Sequence, residues 1–295
     1  MEQIKTETKS WFDKYYKLMA LIPLILVILS LVYLGIFYSK HNDFIYKDVS
    51  LSGGTTITLT GNFDTDKLEL ELGKQFSDIS FRKLTGFADN QNSFVIESSA
   101  TPEELKPEIE KILNIKLTEE NSSVEFSGST LSGNFYKQLI TALIISFILM
   151  SIVIFIMFRT FIPSIAVIFA AFSDIAMPLA VLNLFEVKIS AAGIAAFLML
   201  IGYSVDTDIL LTTRALRGGE GNLNHRIYRA FKTGILMTLT ALAAVIPAFF
   251  IGSGLPDSFR QIFLILALGL SADIINTWLT NVGIIKWYCD RKGIK

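Results

Sequence analysis

Six runs of about 20 apolar residues dominate this chain and restrict it to very few folds: Leu18 to Phe37, Tyr136 to Phe158, Ser164 to Phe185, Ile189 to Leu211, Thr233 to Ile251 and Gln261 to Ile285. Hydrocarbon offers no partner for backbone N–H and C=O groups, so a spanning segment has to close its hydrogen bonds within itself, as a helix does. At about 1.5 Å per residue, ~20 residues cross a ~30 Å core. A hydrophobic content of 52% and a mean hydropathy of +0.51 exclude an ordinary soluble domain. The expected fold is therefore an α-helical membrane protein with six transmembrane helices. The first run is longer than a signal core, follows a charged lead and has no small-residue cleavage site after Tyr38, so it is expected to remain as an anchor.

Loop charge sets the expected orientation, because Lys and Arg accumulate on the cytoplasmic side. Lys5, Lys9, Lys14 and Lys17 precede the first run, Arg159 ends the second, and Arg214, Arg217, Arg226, Arg229 and Lys232 join the fourth to the fifth. Lys286, Arg291, Lys292 and Lys295 close the chain. Both termini are expected in the cytoplasm of a multi-pass cell-membrane protein. Residues 39–134 carry 16 acids against 9 bases and are expected outside. Three regions follow: residues 1–38 with the first helix, residues 39–134 as an extracytoplasmic domain, and residues 135–295 with helices two to six.

The outer block is long enough to bury a core of its own. Ile57-Thr-Leu-Thr alternates as a strand after Gly53-Gly54, where a turn or bulge uses the backbone freedom of glycine. A helix capped by Asp64 closes near Ser77. Ile79 to Leu84 and Ser93 to Ser98 flank the turn-forming Asp89-Asn-Gln-Asn and are expected to pair as a hairpin. Thr101-Pro-Glu-Glu opens a second helix with Glu104 in a capping box, expected to run to about Leu117, and Ser123 to Ser127 supplies a last strand. The order βαββαβ predicts an α+β ferredoxin-like domain between helices one and two.

Four acids interrupt the apolar runs: Asp174, Asp206, Asp208 and Asp273. Each costs roughly 2.5 to 3.5 kcal/mol near a helix centre, so together they oppose insertion by on the order of 10 kcal/mol unless helices or a partner subunit offset them. Residues two apart on a helix point about 200° from each other, so Asp206 and Asp208 cannot share a face. Asp208 has Ser204 four residues before it and Thr212 four after, a polar stripe suited to a titrating group. Asp206 stacks with Gly202 and Leu210, which suits contact with a neighbouring helix. A proton carrier needs a cation nearby in one conformation, and Arg229 or Lys232 at the start of the fifth helix would supply it; positive-inside anchoring accounts for them equally well. Interhelical hydrogen bonding is the competing role for all four acids, most of all for Asp273, which has Asn276 and Asn281 as polar company.

Other features are bland. Gly218-Gly-Glu-Gly221 follows no soluble strand and lacks a Lys-Ser/Thr ending, so it reads as a turn and not as a phosphate loop. Cys289 is the sole cysteine and is expected as a free thiol, while His41 and His225 have no partner at ligand spacing. No metal, cofactor or nucleic acid is expected.

One helix, a βαββαβ block and five further helices, with Gly202-Tyr203-Ser204 followed by Arg214, Asp174 after Phe172-Ser173, Arg229 with Thr233, and Gly252-Ser-Gly254 before Phe259, resemble the SecF members of the SecD/SecF protein-export family. That family shares its helical arrangement with RND-like efflux proteins. Bacterial members read Asn-Asp-Thr where this chain has Asp206-Thr207-Asp208, a form similar to the archaeal branch. The resemblance implies a non-enzymatic accessory subunit of protein export. It would sit in membrane lipid in a heteromeric complex with SecD, beside a SecY-type channel, and would act on the translocating polypeptide. It also implies a proton-motive-force or other ion-gradient role for Asp208 or Asp206, with Asp174 and Arg229. Three other roles compete: an RND-like transporter of a small amphiphile or lipid, a purely structural scaffold subunit, and an intramembrane aspartyl protease using Asp174 with Asp206 or Asp208, for which the Gly-x-Gly-Asp element is absent.

Overall fold

The apolar runs become long helices because nothing else satisfies their backbone, and the polar block between the first two folds separately around strands. The computed structural model describes residues 11–61, 63–76, 78–85, 92–217, 221–251 and 257–294, with backbone alone for 11–14, 84, 85, 92, 257 and 258. In chain order these are α1 (Trp11–His41), α2 (Val49–Ser52), β1 (Gly54–Thr60), α3 (Thr65–Gln75), β2 (Ser80–Thr85), β3 (Asn92–Ser98), α4 (Pro102–Leu113), β4 (Ser122–Ser127), α5 (Ser129–Phe158), α6 (Phe161–Leu184), α7 (Ala191–Leu216), α8 (Leu223–Ile251), α9 (Asp257–Ile275), a π-helical turn (Asn276–Asn281) and α10 (Val282–Lys292). Among the described residues six helices are long and apolar enough to cross a membrane, the sixth being α9, the π turn and α10 in one rod.

The strands form one antiparallel sheet in the order β2-β3-β1-β4, with Ile57 opposite Ile96 on one side and Val124 on the other. Alternation places Ile57, Leu59, Phe94 and Ile96 on the face that meets Leu68 and Leu72 of α3 and Leu105 and Ile109 of α4. All eight are buried, each worth roughly 1.5 to 3 kcal/mol relative to exposure. Asp64 caps α3 by accepting from the Lys67 N–H at 3.1 Å, and the Glu104 carboxylate accepts from the Thr101 N–H at 3.1 Å at the start of α4.

Several expectations need correction. The helix that opens at Pro102 stops at Leu113, short of Leu117, because Asn114 adopts a left-handed conformation (φ 51°, ψ 40°) and its N–H closes on the Glu110 carbonyl. The fifth span begins ten residues early, at Leu223, because Leu223, Arg226, Ile227 and Ala230 form a buried stripe at helical spacing. The sixth is not a continuous α-helix. The hairpin turn, Gly218 to Glu220 and Gly252-Ser-Gly254 lie outside the described residues.

In the membrane part, α6 and α7 bury the largest share of their residues, and α5 fully buries only Ser132 and Ile154. Gly269 lets Leu200 of α7 lie against α9, Gly234 of α8 accepts the Trp278 ring, and Gly283 accepts Ala20 of α1; a side chain at any of the three would collide. At the end of the bundle nearest the sheet, the loop between α6 and α7 meets the segment after α1. The Ile189 N–H donates to the Tyr46 carbonyl at 2.6 Å, the Asp48 N–H to the Ile189 carbonyl at 3.1 Å, and the Asn183 amide to the Phe44 carbonyl at 2.8 Å.

Candidate functional site: a buried carboxyl cluster

Helical periodicity brings Asp174 of α6, Asp208 of α7 and Asp273 of α9 into the seam between these three helices, all fully buried. Each carboxyl meets neutral donors. Ser204 donates to Asp174 Oδ2, and the Asn276 amide donates to Asp174 Oδ1 at 2.6 Å. Asn281 donates to Asp208 Oδ1 at 2.6 Å, and the same oxygen lies 2.8 Å from the Thr277 hydroxyl. That hydroxyl also lies 3.0 Å from Asp273 Oδ1. A threonine has one proton to give, so Thr277 joins Asp208 and Asp273 but can donate to only one of them at a time. Asp273 further meets Thr207 at 3.0 Å and Thr238 of α8 at 3.4 Å.

The π turn makes this arrangement possible. In an α-helix, residues five apart diverge by about 140°, so Asn276 and Asn281 would not both face the seam. A turn closed by i to i+5 bonds holds roughly 4.4 residues and brings them within about 50°. Asn276 thereby reaches Asp174, while Thr277 and Asn281 reach Asp208. The amides expected as company for Asp273 serve the other two acids, and Asp273 is held by threonines. Asp208 Oδ2 and Thr212 Oγ1 are buried and have no hydrogen-bond partner among the described residues.

Asp206 lies on the other side of α7, exposed, as the 200° separation requires. The Gly-Tyr-Ser tripeptide divides among three directions. Ser204 points into the cluster, the Tyr203 hydroxyl donates to the Met237 carbonyl of α8 at 3.0 Å, and Gly202 faces open space. Arg214 fastens the other end of the same helix pair, donating to the Arg229 carbonyl at 2.7 Å and to the Thr233 hydroxyl at 3.1 Å. Arg229 and Lys232 are exposed, and among the described residues no ion pair joins either to a cluster carboxyl. No group of three or more metal-ligating side chains suited to a metal ion occurs among the described residues.

Sequence reasoning favoured Asp208, gave Asp273 mainly a packing role, and did not single out Thr207 or Thr277. The available signal was the i to i+4 pair Asp273 and Thr277 within an apolar run. The π turn had no legible signal.

Comparison with known proteins assigns this architecture. The family model described as "Protein export membrane protein SecD/SecF, C-terminal" matches residues 108–291, more than half of the chain. The chain belongs to the SecD/SecF family. Its SecD/SecF relatives include the Protein-export membrane protein SecF of Methanolacinia petrolearia, 35% identical over 94% of this chain and 95% of that protein, and that of Methanocaldococcus jannaschii, 36% identical over 93% and 96%. The crystal structure of SecDF, a translocon-associated membrane protein from Thermus thermophilus, shares the fold with a TM-score of 0.68 at 18% identity. The match covers 96% of this chain and 39% of that one.

Proposed function

We propose that this protein is an accessory subunit of Sec protein export that works with a SecD-type mate, and that Asp174, Asp208 and Asp273 carry an ion-dependent step in moving the exported chain. Its membership of the SecD/SecF family supports the export role, and the joint SecDF architecture supports the mate. The order βαββαβ with strands arranged β2-β3-β1-β4 supports a ferredoxin-like domain, and loop charge supports its placement outside with both termini in the cytoplasm. The proposed role involves no covalent chemistry. The channel beside which it acts is SecY-type.

The observation that carries the ion-dependent step is the convergence of three buried carboxyls with only neutral donors around them. Asp208 and Asp273 share one hydroxyl, so as like charges in an apolar bundle they would repel strongly, and among the described residues no cation offsets them, which favours a group that holds protons. Asp208 Oδ2 and Thr212 Oγ1 lack internal partners, which leaves atoms for such an exchange. Asp206 takes no part in the cluster and is assigned to contact with the mate. Arg229 is a cation that would approach Asp208 only in a second conformation.

The test is secretion rate, with and without a collapsed proton gradient, for Asp208→Asn, Asp174→Asn, Asp206→Asn and Arg229→Ala, each after co-purification shows the SecD-type mate still bound. Loss of rate for the cluster variants with assembly intact is expected. Wild-type rates for every assembled variant would assign these side chains to structure and the protein to a scaffold role.

A further inference from the structure

The loop from Phe185 to Ser190 between α6 and α7 makes two sets of contacts that ion coupling alone does not require. Upward, the Lys188 ammonium donates to the Ser80 hydroxyl at the start of β2 at 2.9 Å and lies 3.9 Å from Glu97 of β3. Glu97 is itself buried, pairs with Arg82 and accepts from Ser80 at 3.3 Å, so Lys188 docks on a fixed group. Downward, the Gln261 side chain of α9 is wedged under the same loop. Its Oε1 accepts from the Ser190 N–H at 2.7 Å and from the Ser190 hydroxyl at 2.6 Å, while its amide donates to the Lys188 carbonyl. Ser190 is in turn the N-cap of α7, its hydroxyl facing the Gly193 N–H at 3.3 Å. Gly193 is required there, since a Cβ would lie 2.5 Å from Gln261 Oε1.

Lys188 and Ser190 therefore join three bodies in two residues: the outer sheet, the cap of the helix that carries Asp208, and the start of the helix that carries Asp273. Beside this joint a cavity of about 190 Å³ opens between the sheet, α2 and the α6–α7 loop, lined by Lys47, Ser52, Asp78, Glu97, Ser99 and Lys188.

We propose that Lys188 and Gln261 are positioning residues that hold the edge of the sheet to the N-terminal ends of α7 and α9, so that loosening either contact loosens the other. This extends the export reading but does not depend on it for its test, because the coupling is a property of the chain itself. Coupling between two sites is reciprocal, so a change made at either end is read at the other.

The experiment is hydrogen exchange by mass spectrometry on the full-length protein in lipid nanodiscs, following residues 190–194 and 80–85. Gln261→Leu removes the lower contact and is expected to speed exchange at 190–194 at least threefold. Glu97→Gln and Lys188→Met act only at the upper contact and are expected to speed exchange at 190–194 as well, whereas Lys188→Arg retains wild-type protection. Gln261→Leu is expected to speed exchange at 80–85 in return. If Glu97→Gln and Lys188→Met loosen 80–85 but leave 190–194 at the wild-type rate, the joint does not transmit and the proposal is overturned. It is also overturned if Gln261→Leu leaves 190–194 unchanged. Neither result bears on secretion, so a failed joint and a failed export role are told apart.

Discussion

Replacing Asn281 with Leu tests the carboxyl cluster most directly. The two side chains share the same branched skeleton of four heavy atoms, so the change removes a donor without opening a cavity. Asp208 Oδ1 then keeps only the Thr277 hydroxyl, whose single proton is shared with Asp273, while Oδ2 already lacks a partner. Leaving a buried acceptor unsatisfied costs about 1 to 3 kcal/mol. Interhelical hydrogen bonds in membrane proteins average about 0.6 kcal/mol and reach about 1.7. The 2.6 Å contact to a fully buried carboxyl belongs at the strong end of that range, so a loss of about 1 to 2 kcal/mol is expected. Reversible unfolding in mixed micelles reads this as a roughly tenfold change in the unfolding constant per 1.4 kcal/mol. The decisive comparison is a double-mutant cycle with Asp208→Leu. The coupling should recover about the whole single-variant loss, because Asn281 has nothing to donate to once the carboxyl is gone. Additivity of the two changes within about 0.5 kcal/mol would refute the contact as the source of the cost.

Other outcomes follow from single contacts. Gly234→Ala should destabilise the bundle by about 1 to 3 kcal/mol in the same assay, through collision with the far edge of the Trp278 ring, and adding Trp278→Phe, which lacks that edge, should restore most of the loss. Ile57→Ala, at a fully buried position in the sheet, should cost about 2 to 5 kcal/mol and raise the rate of limited proteolysis within residues 54–127 while the membrane helices stay resistant. Burial of Asp43 pushes its carboxyl up, but hydrogen bonds from Lys47 and Tyr136 and the charge of Lys47 outweigh it and hold the group below its usual 3.8. A depressed carboxylate contributes stability that is present above that usual value and is lost as pH falls through the lower folded value. The acid limb of an unfolding titration should therefore be shallower in Asp43→Asn than in the wild type below pH 3.8.

How much of this was legible in the sequence depended on the range of the forces involved. Spanning helices are dictated by a solvent that acts on every residue alike, so runs of apolar side chains located all six. The caps at Asp64 and Thr101 were readable because their partners lie within three residues. Asn114 was not, since a left-handed residue at a helix end competes with continued helix by only a small margin. Within the cluster, the opposition of Asp206 and Asp208 followed from periodicity alone. Which amide meets which acid did not, because that depends on how α9 sits against α6 and α7 and on a π turn whose cost is offset by contacts 69 to 102 residues away in the chain. The hub at Lys188 and Gln261 escaped notice for the same reason. Its residues are ordinary polar neighbours of helix ends until the loop closes.

The π turn also has a meaning for the chain as a lineage. It amounts to one residue more than an α-helix would need: five steps through the turn advance about 50° past a full revolution and four α-helical steps about 40°, so deleting one residue from Asn276 to Asn281 would leave everything beyond it facing nearly the same way. Ile285 and Cys289 would stay in the core at the α8 end, and Gly283 would keep its place against Ala20. Gain or loss of that extra residue is therefore a small step: it changes which side chains meet Asp208 while the C-terminal helix keeps its seat, so the sixth helix should tolerate a change of one residue at the turn and at few other places.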